Sequence, residues 1–257
     1  MSDFTPTPER QKQILSLLIR QGRLSVTEIV EQFSISEATA RRDLESLASQ
    51  GKAQRVHGGV IAIEQAPPEL PILEREGAQP DEKTRIGRAA ASLVADKETI
   101  FLGSGTTVLE VARNLRDRQN LTVITNSLPV LNMLSGIKEI TVISLGGMLR
   151  DSELSFIGHI TEQALTEVRA DKVIMGTRGL SLEHGLTNDY LQETLTDRAI
   201  LKIGHEVIIV ADHSKVNRVA TALLAPLNSM NTFVTDSKAD KKFIQSLKKQ
   251  GIKVVVA

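Results

Sequence analysis

The feature that most restricts the fold is a helix signal followed, after a glycine, by a hairpin signal. Ser36 is a good N-cap, because its hydroxyl can accept a hydrogen bond from a backbone N–H left unpaired at the helix start. Gly51 suits the end of this helix, and two short apolar runs flank His57-Gly58-Gly59, which is typical of a hairpin. At helical spacing Arg42 points away from the apolar face, which consists of Ala40, Leu44 and Leu47. The stretch therefore predicts a helix with one packed face and one free face, followed by a wing.

Two further helix signals precede this one. Thr7-Pro8-Glu9 combines a cap, a proline at the first helical position and an acid in the first turn, and predicts a helix to about Gln21. Ser25 and Glu28 form a capping box that starts a second, shorter helix. Helix, short helix, turn, helix and hairpin is the order of a winged helix-turn-helix, whose last helix enters the DNA major groove. We therefore expect a DNA-binding domain over 1–63; the alternative is an interaction protein whose winged helix binds protein.

Charge restricts how such a domain could bind DNA. The chain has 31 basic and 31 acidic residues, and residues 1–60 hold eight Lys or Arg against seven Asp or Glu. Since non-specific affinity comes from cations that meet phosphates, one copy should bind weakly and a homo-oligomer should bind better. The chain has no cysteine, and we find neither a signal peptide nor a membrane span, so we expect a cytoplasmic protein.

The composition changes after the predicted wing. Residues 64–80 are proline-rich and aperiodic, which predicts a partly extended linker. From residue 81 helical segments alternate with short apolar runs, which predicts an α/β domain over 81–257 with a mainly parallel sheet. The predicted strands are Thr99–Leu102, Leu121–Thr125, Ile140–Leu145, Lys172–Met175, Val207–Ala211, Thr232–Thr235 and Lys253–Val256. A ligand of such a sheet is expected at the carboxyl ends of the strands.

Glycine and hydroxyl residues follow several of these strands. Ser104-Gly105-Thr106-Thr107 stands between a strand and a helix, where free N–H groups and hydroxyls suit a phosphate. An ordinary capped turn is the alternative. Similar loops that could converge on one pocket are Asn126-Ser127, Gly146-Gly147, Gly176–Gly179, Gly185–Asn188 and Asp212–Lys215. The five histidines have no metal-ligand spacing, so we predict neither a metal site nor a cofactor.

These motifs together resemble the DeoR family of bacterial transcription regulators over nearly the whole chain. The resemblance lies in Ser36-x-x-Thr39-x-Arg41-Arg42-Asp43-Leu44, Arg55-x-His57-Gly58-Gly59, Ser104-Gly105-Thr106-Thr107, Thr125-Asn126-Ser127, Gly146-Gly147, Gly185-Leu186-Thr187 and Ala211-Asp212-x-Ser214-Lys215. It implies a sensor domain related to sugar-phosphate isomerases and coenzyme A transferases. It also implies a repressor of carbohydrate catabolism genes that is controlled by a phosphorylated sugar.

Roles on the DNA side follow from placement on the predicted helix and wing. One of Arg41 and Arg42 could read a guanine edge while the other holds a phosphate, and the sequence does not decide which. Ser36, Thr39, Arg55 and His57 are candidates for contacts to the DNA backbone. Asp43 is expected to be structural, because an acid pressed against phosphate is costly.

Roles on the effector side come from the resemblance. It implies that Ser104, Gly105, Thr106 and Thr107 hold phosphate and that Lys215 supplies a cation, beside the glycines Gly146 and Gly147. It also implies that Asn126, Thr187 and Glu193 bond ligand hydroxyls.

Two departures from the family pattern affect what is sensed. Gly103 stands where aspartate is common, and Thr177-Arg178 stand where the family often has Ala-Asp. A guanidinium in place of an acid favours a sugar acid or a doubly anionic ligand, unless Arg178 is a surface or oligomer contact. The rival function is a sugar-phosphate isomerase or transferase with an accessory module. Loss of a carboxylate at this loop argues against turnover, and a second carboxylate elsewhere is the route by which turnover could still occur.

Overall fold

The computed structural model describes residues 7–21, 23–49, 53–56, 58–62, 64–65, 70–75 and 77–257. The chain divides into two compact units, Met1–Gln65 and Ala66–Ala257. His57, Gly51 and the Pro67-Pro68 pair lie outside the described residues, so the predictions made for them stay predictions.

The first unit is a small helical domain with a three-stranded sheet. Its elements are α1 (Thr7–Gln21), β1 (Arg23–Ser25), α2 (Val26–Phe33), α3 (Glu37–Ser49), β2 (Ala53–Val56) and β3 (Gly59–Ala62), followed by β4 (Glu64–Gln65). The antiparallel sheet has the order β1-β3-β2. The core is apolar and includes Ile14, Leu18, Leu24, Ile29, Ala40, Leu44, Leu47 and Val60. This is the winged helix-turn-helix arrangement that the sequence predicted.

Capping explains where α2 begins. The Glu28 N–H donates to the Ser25 hydroxyl oxygen at 3.1 Å, and the Ser25 N–H donates to the Glu28 carboxylate at 2.6 Å. These reciprocal bonds satisfy two backbone donors that a helix start otherwise leaves unpaired. The pKa of Glu28 is lowered because the Ser25 N–H and hydroxyl donate to its charged form.

The second unit is built around a seven-stranded parallel sheet. Its strands are β5 (Thr99–Leu102), β6 (Leu121–Thr125), β7 (Ile140–Ser144), β10 (Ala170–Met175), β13 (Gly204–Val210), β16 (Thr232–Thr235) and β17 (Lys253–Val256). Their order across the sheet is β17-β16-β13-β10-β5-β6-β7, and every neighbouring pair is parallel. All seven predicted strands are therefore confirmed, four of them with the predicted ends and the other three with ends shifted by one to three residues.

Helices cover both faces of this sheet, and two smaller antiparallel sheets flank it. The helices are α4 (Ile72–Arg75), α5 (Pro80–Ala91), α6 (Thr106–Arg113), α7 (Leu128–Leu134), α8 (His159–Thr166), α9 (Leu191–Leu201) and α10 (Lys241–Lys249). The small sheets pair β8 (Met148–Arg150) with β9 (Ser155–Ile157), and β11 (Gly179–Ser181) with β12 (Gly185–Asn188) and β15 (Ala222–Ala225); β14 is Arg218–Val219. Two apolar clusters, one on each side, form the core.

The predicted linker over 64–80 differs from the structure in its second half. Helix α4 lies within it, and Ile72 is only 2% exposed. The Ile72 N–H donates to the Ser152 carbonyl oxygen at 2.7 Å. Residues 70–79 therefore belong to the larger unit, which the local sequence did not indicate because their partners lie some eighty residues further on.

Candidate functional site

The start of α3 carries four of the predicted DNA contacts. The Thr39 N–H donates to the Ser36 hydroxyl oxygen at 3.2 Å, so Ser36 caps the helix as expected. Arg41 and Arg42 are both exposed. The Arg41 guanidinium bonds the Glu37 carboxylate at 2.6 and 3.0 Å, whereas no ion pair joins Arg42 to any other described residue. The Arg41 side chain is thus held by an ion pair and the Arg42 side chain is not, a difference that the sequence did not predict.

Asp43 faces the opposite way and is only 2% exposed. Its carboxylate accepts a hydrogen bond from Arg10 Nε at 2.7 Å and another from Gln11 Nε2 at 3.0 Å. Both side chains of the Asp43–Arg10 ion pair are buried, so the pair fixes the rotation of α3 against α1. The prediction that Asp43 is structural is confirmed.

The wing packs closely on the body of the small domain. A Cβ at Gly59 would lie 2.2 Å from the Leu24 carbonyl oxygen, so only glycine fits where β3 crosses β1. On β2, Arg55 is exposed and its Nη1 donates to the Arg41 carbonyl oxygen at 3.4 Å. Arg55 therefore lies beside Arg41 and Arg42 of α3, so the three arginines could contact one DNA surface together.

The larger unit holds a cavity of about 470 Å³ at the carboxyl ends of its strands. Residues that follow β5, β10 and β13 line it, including Ser104, Gly176 and Asp212. Along the chain β5 is followed by β6 and β7 on one side of the sheet, and then by β10 on the other. The cavity thus lies where the strand order reverses, which is the usual ligand crevice of an open α/β sheet.

The predicted phosphate loop forms one wall of this cavity. Gly105 has a φ of 113°, a left-handed conformation that favours glycine, and it caps α6 without a side-chain hydrogen bond. The first N–H groups of α6 therefore meet no capping side chain, and the hydroxyl-bearing Ser104, Thr106 and Thr107 line the cavity beside them. This end of the cavity has the chemistry of an anion site.

Charged side chains of both signs line the cavity. The cations are Arg75, Lys83, Arg178 and Lys215, and the acids are Glu153, Glu193, Asp197 and Asp212. Burial raises the pKa of Asp197 well above its ordinary value, and the neighbouring charge of Glu193 acts in the same direction.

Several of these charges are already engaged within the protein. Arg178 Nε donates to the Asp189 carboxylate at 2.7 Å, and Arg178 is only 6% exposed. Glu193 pairs with Arg150 and also accepts a 3.4 Å bond from the Ser155 hydroxyl. The Arg178 charge is therefore shared with an acid that the sequence argument did not include.

The structure brings together Ser104, Gly105, Thr106, Thr107, Arg178, Glu193 and Lys215, whereas four predicted effector residues do not line the cavity. Asn126 Nδ2 donates to the Phe156 carbonyl oxygen at 3.0 Å, which ties β6 to β9. The Thr187 hydroxyl donates to the Gly179 carbonyl oxygen at 3.2 Å and accepts from the Ala220 N–H at 2.9 Å. These two side chains hold neighbouring strands together.

The other two are the glycines Gly146 and Gly147. The Gly146 carbonyl oxygen accepts a hydrogen bond from the Thr161 hydroxyl at 2.8 Å. A Cβ at Gly147 would lie 2.1 Å from that hydroxyl oxygen, at a φ of 148°. The turn packs closely against α8, which explains why glycines occupy positions 146 and 147.

Sequence reasoning missed Arg75, Lys83, Glu153 and Asp197, which also line the cavity. Arg75 and Lys83 lie in or near the predicted linker, and the other two follow no apolar strand of the main sheet. Asn188, from a loop that was expected to converge on a pocket, lines the cavity as well. The one available signal was on α9, where Glu193 and Asp197 are four residues apart and share a face.

Two negative findings concern the described residues alone. They contain no group of three or more His, Asp or Glu residues placed to hold a metal ion. Among them, no helix has both the length and the apolar character needed to cross a membrane.

Comparison with protein families matches both units. A DeoR-like helix-turn-helix domain matches residues 10–66, and a DeoR C-terminal sensor domain matches residues 78–237. The chain is 34% identical to the transcriptional repressor AccR of Agrobacterium fabrum over 236 residues, which are 91% of each chain. It is also 34% identical to the glycerol-3-phosphate regulon repressor of Escherichia coli, over 93% of this chain and 94% of that one.

Solved structures resemble the chain only loosely. Ribose 5-phosphate isomerase A of Methanocaldococcus jannaschii matches with a TM-score of 0.40 and 20% identity, over 54% of this chain and 55% of that one. The eIF2B beta subunit of Chaetomium thermophilum matches with a TM-score of 0.45 and 13% identity, over 88% and 63% of the two chains. Scores this low carry no functional argument. The two family matches and the full-length relatives show the family instead. The chain belongs to the DeoR family of transcriptional regulators.

Proposed function

We propose that the protein is a DNA-binding repressor of carbohydrate catabolism genes whose affinity for its operator depends on a phosphorylated sugar. The observation that carries the DNA half is the orientation of α3. Asp43 is anchored inward on Arg10, and this directs Arg41 and Arg42 into solvent. The relatives named above are repressors, and one is named for the glycerol-3-phosphate regulon.

Within this surface we assign base reading to Arg42. Arg41 is held by Glu37 and lies beside Arg55, which suits a fixed contact to phosphate. Arg42 is exposed, forms no ion pair with another residue in the described part of the chain, and can make a bidentate contact to a guanine edge. Ser36 and Thr39 at the helix start, with Arg55 and His57 of the wing, would complete the contacts to the DNA backbone.

Fluorescence anisotropy with a fragment of the protein's own promoter tests this assignment. Arg42→Ala should cost about 1–3 kcal/mol and relax specificity at one base pair, whereas Arg41→Ala should weaken binding to every sequence and lower the salt dependence by about one contact. Lys12→Ala, which removes an exposed cation from α1, is the matched control. Equal losses for Arg42→Ala and Lys12→Ala would refute the assignment.

For the effector half, we propose that an anionic sugar binds in the switch-point cavity with its phosphate at Ser104 to Thr107. The uncapped start of α6, the hydroxyls beside it and the cationic side chains that line the wall support this site. Lys215 would contact ligand oxygens, and Glu193 would accept from a ligand hydroxyl. The places of Asn126, Gly146, Gly147 and Thr187 support roles in shaping the loops around the cavity.

Calorimetric titration of the full chain with glucose 6-phosphate, 6-phosphogluconate, glycerol 3-phosphate and unphosphorylated glucose tests the site. The phosphorylated compounds should bind and glucose should not. Thr106→Val keeps the shape of the side chain and removes its hydroxyl, and should cost about 1.5–3 kcal/mol, the usual value for a hydrogen bond to a charged group. Binding of glucose as strong as that of glucose 6-phosphate would contradict the proposal.

The sugar-acid hypothesis for Arg178 is kept in a narrower form. Arg178 lines the cavity, but Asp189 already neutralises part of its charge. We therefore expect 6-phosphogluconate to bind more tightly than glucose 6-phosphate, and Arg178→Ala to remove most of that preference. Equal affinities that Arg178→Ala leaves unaltered would eliminate the hypothesis.

We also propose that the protein acts as a homo-oligomer joined through the larger unit. Helix α9 turns Glu193 and Asp197 inward, while Leu191 and Leu195 on its outer face are 60% and 49% exposed. Ile160 on the adjacent α8 is also exposed. An apolar face of this kind is typical of an interface. Light scattering should give at least twice the monomer mass, and Leu195→Asp should reduce it; a monomer at micromolar concentration would refute the proposal.

A further inference from the structure

One wall of the cavity comes from the segment that enters the larger unit from the residues after the wing. We call this segment the strap and define it as residues 70–79, of which 70–75 and 77–79 are described. Leu70, Arg75, Ala78 and Gln79 of the strap line the cavity, as does Lys83 just beyond it. A ligand in the cavity therefore touches the part of the larger unit that is nearest in sequence to the DNA-binding unit.

Described contacts join the strap to the turn between β8 and β9. The Ile72 N–H donates to the Ser152 carbonyl oxygen at 2.7 Å, and Arg75 pairs with Glu153 on the same β8–β9 turn. Lys83 Nζ donates to the Arg75 carbonyl oxygen at 2.6 Å. The buried side chain of Ile72, its backbone hydrogen bond and the Arg75–Glu153 ion pair thus join the strap to the larger unit.

The same ion pair faces the cavity with both of its members. Arg75 and Glu153 line it together, and their side chains are 15% and 5% exposed. An anion that enters the cavity attracts Arg75 and repels Glu153. Because the site is partly shielded from water, both interactions are stronger than they would be in bulk solvent.

We propose that Arg75 is an effector-sensing residue for which the ligand anion and Glu153 compete. Occupancy draws Arg75 away from Glu153, loosens the strap and so changes affinity for the operator. This inference rests on the proposed effector site, and it adds the contact through which a bound ligand changes operator affinity. Allosteric coupling of this kind typically changes affinity by about 5- to 150-fold.

The first experiment needs no ligand. Arg75→Ala and Glu153→Gln, each made in the full chain, should raise hydrogen exchange in the peptide that contains Ile72, and should change operator affinity at least about 5-fold. Arg85→Ala is the matched control, because Arg85 is 46% exposed and makes only a 3.9 Å pair with Glu82. Glu153→Gln keeps the size of the side chain, so it serves if Arg75→Ala does not fold. Operator affinity unchanged in the folded variants would overturn the proposal.

The second experiment separates effector affinity from effector response, with 6-phosphogluconate as the probe. Saturation should raise exchange of the Ile72 peptide in the wild type. Arg75→Ala should weaken probe binding and leave no response at its own saturation, whereas Lys215→Ala should weaken binding and keep the response. A wild-type strap whose exchange is unchanged or slower at saturation would overturn the proposal. Failure of the probe to bind would count against the effector site instead, and the ligand-free variants would still decide the role of the strap.

Discussion

The buried ion pair between Arg10 and Asp43 predicts a large loss of stability in the DNA-binding unit. Both side chains are almost fully buried, at 6% and 3% exposure, and the bond between them is 2.7 Å long. Asp43→Ala would leave the Arg10 charge buried without its main partner, at a cost of about 3–5 kcal/mol. A domain of this size has a total stability of about 3–9 kcal/mol, so the unit should be partly or fully unfolded in this variant.

Hydrogen exchange on the full chain measures this directly, since peptides from α1 and α3 can be compared with those from the parallel sheet. Exchange should rise to the global unfolded rate in the small unit while the sheet keeps its protection. Glu45→Ala on the same helix is the control, because Glu45 is exposed. The double variant Arg10→Met with Asp43→Leu should recover most of the protection, since apolar replacement of a buried pair is often neutral. Wild-type protection in Asp43→Ala would refute the reasoning.

Three further predictions concern stability. Gly87→Ala should destabilise the larger unit by about 1–3 kcal/mol in chemical denaturation, because its Cβ would lie 2.6 Å from Glu110 Cβ; Gly77→Ala, with open space around it, should change little. Asp197→Asn should raise the Tm of the larger unit by a few degrees at pH 7. A raised folded-state pKa costs stability as pH rises above the unfolded value, so the Tm gain should vanish below about pH 4. Ser25→Ala should cost the small unit about 0.5–2 kcal/mol in the same denaturation assay.

Local patterns were enough to predict most of the fold. Ser25 and Ser36 begin their helices as capping rules require, and the seven strands of the parallel sheet were visible as apolar runs between helical segments. These features depend on neighbours within about four residues, which the sequence displays.

Long-range contacts could not be predicted from the sequence. Arg75 meets Glu153 across 78 residues and Arg178 meets Asp189 on a neighbouring strand end, and neither pairing leaves a local pattern. Such ion pairs determine which cationic side chains of the cavity are already neutralised by an acid and which can bind the ligand. Asn126 and Thr187 were assigned from motifs that contain them, yet their side chains bond backbone groups of adjacent strands. A motif residue and a ligand contact are therefore different properties, and only three-dimensional placement separates them.

The most direct test of the account is operator binding by the full chain with and without phosphorylated sugars. We expect the wild type to bind a fragment of its own promoter, and at least one of glucose 6-phosphate, 6-phosphogluconate and glycerol 3-phosphate to change that affinity by 5-fold or more. The same compound should have a smaller effect on Thr106→Val at a concentration that just saturates the wild type. Operator binding that no compound alters, or that Thr106→Val leaves equally responsive, would contradict the account.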